Sequence, residues 1–106
     1  METQDVLEQL RAFVAARDWS QFHTPENLAK SISIEAAELL EAYQWSSDAD
    51  LEQVKDELAD VLTYAYLLAD KLGLEPETII ADKLKITEEK YPVEKARGSS
   101  AKYDQL

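Results

Sequence analysis

The sequence contains no cysteine, which excludes disulfides, zinc–thiolate centres and thiol nucleophiles. It has a single histidine, His23, so any metal site must be built mainly from oxygen ligands. No apolar run approaches the roughly 20 residues that a membrane helix needs. The opening segment, METQDVLEQLRAF, lacks the basic stretch and apolar core of a secretory signal, and a cytoplasmic location is the default expectation. Basic residues are also scarce. Eleven stand against 22 acidic ones, and the net charge of −11 repels nucleic-acid backbones. Glycine and proline number only two and three. A chain of 106 residues fits a single domain spanning 1–106. At that size roughly two thirds of the unfolded surface is buried, so self-association would add useful burial.

The charge that is present is unevenly placed. Residues 83–106 carry six basic side chains against four acidic ones, whereas residues 1–82 carry five against eighteen. An acidic body with a basic tail suits a metal and a polyphosphate together; ordinary solvated helix faces give the same pattern.

No strand-like alternation persists, and the punctuation predicts four helices. The first covers about 5–17, with Val6, Leu10, Phe13, Val14 and Arg17 at helical spacing. Thr24 as N-cap and Pro25 at the first helical position open the second, about 25–44. Ser46, Ser47 and Asp48 form a polar turn and supply the next cap. The third helix covers about 50–72 and stops at Gly73. The fourth covers about 76–91, bounded by Pro76 and Pro92. The remaining segment, VEKARGSSAKYDQL, reads as an extended tail.

Two acid pairs carry the chemistry. Glu35 and Glu38 are three residues apart, hence about 60° apart on the second helix, beside the apolar stripe Leu28, Ile32, Ala36, Leu39 and Tyr43. Glu57 and Asp60 repeat the arrangement on the strongly apolar third helix. A short turn between these helices brings the pairs face to face. Four carboxylates at close quarters cannot all stay ionised without a cation, and oxygen-only ligands suit Mg²⁺ or Mn²⁺. Spacing alone leaves salt-bridged or simply exposed acids as the other outcome. A di-iron carboxylate bundle requires Glu-x-x-His, and no histidine follows Glu35 or Glu57.

The pattern E-x-x-E, 18 intervening residues (39–56), then E-x-x-D resembles the all-α MazG-like nucleoside triphosphate pyrophosphohydrolases. ARDWSQFHTPENL (16–28), EAAELLEAYQW (35–45), ELADVLTYAYLLA (57–69), KLKITEEKYP (83–92) and ARGSSAKY (96–103) resemble the dCTP pyrophosphatase branch in particular. The resemblance implies a four-helix MazG-like bundle that hydrolyses nucleoside triphosphates, dCTP or related dNTPs first, to a monophosphate and pyrophosphate. It implies Glu35, Glu38, Glu57 and Asp60 as the metal-binding and catalytic residues. One of these carboxylates can take the proton of the attacking water; Glu38 is the first choice, though the sequence does not distinguish it from its neighbours. It further implies a role in nucleotide-pool house-cleaning and assembly as a homotetramer, a dimer of dimers with sites completed by neighbouring subunits.

The same resemblance assigns substrate-binding roles to Trp19, Phe22, His23, Asn27, Trp45 and Tyr64. It does so also for Lys83, Lys90, Arg97, Lys102 and Tyr103 in the tail. Indole rings suit base stacking, and lysine, arginine and a phenol suit triphosphate oxygens. Taken singly, the tryptophans also suit a core or interface, His23 a local cap, and the cations a solvated surface. Thr87 departs from the family pattern, which places asparagine three residues before the K/R-Y-P triplet. Threonine offers a shorter hydroxyl in place of an amide, which bears on base or sugar selectivity. The loop between the second and third helices is shorter than in dCTP-specific members. The alternatives are a broad-specificity dNTP pyrophosphatase acting on non-canonical nucleotides and a non-enzymatic helical interaction module.

Overall fold

Scarce glycine and proline leave few places where a helix must stop, and the chain is helical between them. The computed structural model describes residues 3–106. Among them are α1 (Thr3–Ala16), a 3₁₀ turn (Ser20–Phe22), α2 (Pro25–Glu41), α3 (Leu51–Lys71), α4 (Pro76–Lys90), α5 (Val93–Ala96) and a second 3₁₀ turn (Tyr103–Gln105), with no strand. The fold is all-α, as the sequence predicts. The helices divide between two units, residues 1–73 and 74–106.

Two of the predicted helix starts, those of α2 and α3, rest on side-chain caps. Thr24 Oγ1 accepts the Asn27 amide at 3.1 Å, with Pro25 at the first helical position. α3 is capped by Asp50, whose Oδ1 accepts the Glu52 amide at 3.3 Å. The Ser46–Asp48 turn does not supply this cap; Ser46 Oγ instead accepts the Asp48 amide. Gly73 ends α3 at φ +72°, a left-handed conformation that costs glycine little.

α2 stops at Glu41, earlier than predicted, because its last turn tightens. The amides of Ala42, Tyr43 and Gln44 reach carbonyls three residues back, at Leu39, Leu40 and Glu41. The tail is not wholly extended. Pro92 has φ −61° and ψ 143°, and its carbonyl accepts from Ala96 to start the short α5.

α1 ends in a way the sequence does not announce. Asp18 takes φ +54°, the Asp18 amide donates to Ala15 O, and the Trp19 amide donates to Val14 O. These are the two bonds of a Schellman cap, with aspartate where glycine is usual.

In the first unit α2 packs mainly on α3, and α1 adds a smaller contact with α3. The centre is Val14, Leu28 and Leu67, flanked by Leu10, Tyr64 and Leu68. Leu28 is only 1% exposed, and burying such a side chain stabilises by about 1.5–3 kcal/mol. The predicted stripe of α1 is shifted: Leu7 and Val14 are buried, whereas Phe13 is exposed. Ile34 and Leu40 on α2, and Leu58 and Leu62 on α3, are also exposed. No helix of the described residues is long and apolar enough to cross a membrane.

Candidate metal centre and adjoining cavity

The i, i+3 spacing does place the acids of α2 and α3 together. One carboxylate oxygen each from Glu35, Glu57 and Asp60 lies within 4.8 Å of the others. Glu35 and Glu57 are half-buried and Asp60 is exposed. Glu38 is exposed and stands outside this trio, but its carboxyl is within hydrogen-bonding reach of both Glu35 and Glu57.

Two atoms define the character of the cluster. Glu35 Oε2 and Glu57 Oε2 are buried and have no hydrogen-bond partner among the described residues. A buried carboxylate oxygen left without a partner is costly. The cost registers in the acidity. Glu35 is pushed above the ordinary carboxylate range by a hydrogen bond with Glu38, then by burial, then by the charges of Glu38, Asp60 and Glu57. Glu57 is pushed up by burial first, then by the charge of Glu38 and a hydrogen bond with it, then by Asp60 and Asp56. Either a proton or a cation relieves such a group. Oxygen donors with two orphaned atoms fit a hard divalent ion, so the trio could hold a metal.

Asp60 also lines a cavity of about 320 Å³, together with Phe13, Trp19, His23, Thr63 and Tyr64. The Trp19 ring meets Phe13 edge-on, with centroids 5.6 Å apart at 78°, and the Arg17 guanidinium lies 3.8 Å from the Phe13 centroid. Leu10, Val14 and Leu67 form the apolar floor. A second cavity of about 210 Å³ shares Val14, His23 and Leu67 with the first and opens toward Ser20, Asp70 and Lys71.

Of the predicted substrate-binding residues, Trp19, His23 and Tyr64 therefore sit at the cavity beside Asp60. Asn27 does not line it. Its side-chain amide donates to Phe22 O at 3.0 Å, tying the 3₁₀ turn to α2. Phe22 is 60% exposed and Trp45 89% exposed, and neither lines the cavity. In the second unit, Lys83 and Thr87 share one face of α4 with Ile79, Ile80 and Leu84. Thr87 Oγ1 donates back to Lys83 O at 3.1 Å. The Lys90 ammonium lies 4.7 Å from the Tyr103 ring centroid, and Tyr91 meets that ring edge-on. Arg97 and Lys102 are exposed.

Sequence reasoning missed Phe13 and Thr63. Phe13 is legible as an apolar position on the stripe of α1, and nothing in its spacing marks it as a cavity residue. Thr63 adjoins Tyr64 and carries no signal of its own. The Arg11–Asp70 pair was also missed. Arg11 Nε donates to both Asp70 oxygens at 3.2 and 3.1 Å, and Nη2 donates to Oδ1. This hydrogen bonding holds Asp70 below the ordinary carboxylate range, with burial opposing and the charges of Arg11 and Lys71 assisting.

A sequence model of the MazG-like family matches residues 30–106. The chain is 34% identical to dCTP pyrophosphatase 1 of Rattus norvegicus over 113 residues, which cover 97% of this chain and 66% of that protein. The same identity and coverage hold for dCTP pyrophosphatase 1 of Homo sapiens. The chain thus spans about two thirds of the length of these relatives. Among solved structures, a pyrophosphatase from Archaeoglobus fulgidus superposes with a TM-score of 0.77 at 42% identity, covering 84% of this chain and 91% of that one.

Proposed function

Because the chain belongs to the MazG-like family, we propose that it hydrolyses deoxynucleoside triphosphates to a monophosphate and pyrophosphate, with dCTP or a related dNTP as substrate. One observation carries this reading: Asp60 belongs both to the acid trio and to the aromatic cavity. A group that binds metal there also faces the space that suits a base. That space, at about 320 Å³, falls at the lower end of ordinary ligand pockets.

Glu35, Glu57 and Asp60 would hold Mg²⁺, with Glu38 completing the carboxylate set. When bound, Mg²⁺ supplies positive charge that neutralises the triphosphate oxygens and the charge developing on departing pyrophosphate. Water attacks the α-phosphorus, and the bond from that phosphorus to the bridging oxygen breaks. Glu38, exposed and outside the trio, takes the proton of the attacking water. Trp19 and Phe13 offer flat faces and edges to the base, while His23 and Tyr64 offer polar atoms beside them. Lys83, Lys90, Arg97, Lys102 and Tyr103 supply cations and a phenol for the triphosphate. Phe22, Asn27 and Trp45 complete the substrate-binding set, Asn27 through its hold on the 3₁₀ turn.

The proposed enzyme is a single MazG-like domain, residues 1–106, and its role is cytoplasmic house-cleaning of the nucleotide pool. The exposed apolar residues of α2 and α3 support assembly as a homotetramer with sites completed by neighbouring subunits. Broad dNTP specificity is the second reading, and Thr87 favours it. Its hydroxyl is spent on Lys83 O, so it does not replace the amide donor and acceptor of asparagine.

A nucleotide panel with Mg²⁺, reading pyrophosphate against orthophosphate, tests these statements. Pyrophosphate release with dCTP preferred is the expected result. Orthophosphate alone defeats attack at the α-phosphorus, and equal rates on all bases leave the broad-specificity reading. Unchanged turnover in Glu38→Gln removes that residue from the reaction.

A further inference from the structure

The segment that carries Trp19 is short, exposed and bent, yet it is held at every step. Asp18 takes a left-handed backbone conformation within the Schellman cap. The Gln21 amide donates to Asp18 O at 3.0 Å and to Asp18 Oδ2 at 3.1 Å. The Asn27 amide donates to Phe22 O. All of these tethers are local. One is not: the Lys71 ammonium, at the end of α3, donates to Ser20 Oγ at 3.2 Å and reaches Ser20 O at 3.5 Å across 51 residues of sequence.

Lys71 follows Asp70, which Arg11 anchors to α1. The ammonium is therefore held beside the junction of α1 and α3. The residue it grips is the neighbour of Trp19, whose ring lines the cavity at Asp60. From this geometry we infer that Lys71 is a positioning residue for the nucleobase: it touches no substrate, and it fixes the Ser20 backbone so that Trp19 stands against Phe13 and over the cavity. The inference rests on the reading of that cavity as the base pocket.

Charged donors to neutral oxygens form the stronger class of hydrogen bond, weakened here by exposure. Losing the contact should act on substrate capture and leave the acid cluster unaltered. In steady-state pyrophosphate release from dCTP with Mg²⁺, Lys71→Met is expected to raise KM about three- to tenfold, with kcat within about twofold of wild type. Lys71→Arg, which keeps charge and reach, restores KM. In a Ser20→Ala background, Lys71→Met raises KM by a smaller factor, because one of its two acceptors is already gone.

A second measurement is independent of turnover. In a Trp45→Phe background the fluorescence reports Trp19 alone, and Lys71→Met increases its quenching by acrylamide. An unchanged KM, a fall in kcat with KM unaltered, failure of Lys71→Arg to rescue, or unchanged quenching each overturns the inference. If wild type releases no pyrophosphate from any nucleotide, the functional reading fails by itself, and the quenching comparison still decides the role of Lys71.

Discussion

The two ends of α3 treat the same kind of side chain in opposite ways. Near its start, Glu57 has a buried oxygen with no partner and is pushed above the ordinary carboxylate range by burial and neighbouring carboxylates. Near its end, Asp70 is gripped by the Arg11 guanidinium and held below the ordinary range. Paired acids serve structure. An acid half-buried without a pair is a cost that the fold carries, and it makes sense where an external cation completes it. The contrast separates function from scaffold better than counting acids does in a chain with 22 of them.

The sharpest way to break the contrast is Glu57→Gln. Removing this proposed metal ligand is expected to lower pyrophosphate release with saturating Mg²⁺ by about a hundredfold or more, read as initial rate. Asp70→Asn should leave that rate within a few-fold. Comparable losses in both variants would erase the distinction between the ends of α3.

Next in size is the response to the ion itself. At Mg²⁺ a hundredfold above its dissociation constant, binding to the native state adds about 2.7 kcal/mol. For a domain of this size that raises the melting midpoint by roughly ten degrees or more, measured against a chelator-treated sample. Glu57→Gln should abolish most of this shift. An equal shift in wild type and variant would mean that the ion binds elsewhere.

The pH dependence gives the two ends opposite signs. Glu35 and Glu57 hold their protons to higher pH than ordinary carboxylates in the fold, so the stability tied to those protons is present at acid pH. It is lost as pH rises through their raised values. Without divalent ions, Glu57→Gln is therefore expected to melt above wild type at neutral pH, with the gap closing on acidification. Asp70 behaves in reverse: its contribution is present at neutral pH and lost as pH falls through its lowered value. Asp70→Asn should lower the neutral-pH midpoint by only about 1–3 °C, since Arg11 is exposed and Asp70 only half-buried. Melting curves of both variants across acid to neutral pH check the pair, and parallel slopes would sink it.

Much of this contrast was legible before any coordinates. Thr24–Pro25, Gly73, Pro76 and Pro92 are local signals, and each marks an element boundary within a few residues. The acids could be read as a strip because three-residue spacing on a helix fixes direction, and the short link from α2 to α3 fixes which strips meet. What local spacing cannot supply is pairing over distance. Arg11 and Asp70 are 59 residues apart and nothing in either neighbourhood names the other. Phe13 stands on the stripe read for α1 yet is exposed, its ring packed against Trp19 and Arg17 at a cavity wall. Glu38 shared the strip and yet falls outside the trio of nearest oxygens, because a helical wheel gives angle and not depth.

Asp18, with its φ of +54°, carries a further consequence. A non-glycine residue in that conformation costs about 1 kcal/mol, less where an aspartate can bond locally. The chain meets that cost once, during folding, and the turn bearing Trp19 is then already ordered when a ligand arrives. Binding at Trp19 should therefore proceed in one kinetic phase, without the lag of a loop that must first find its shape.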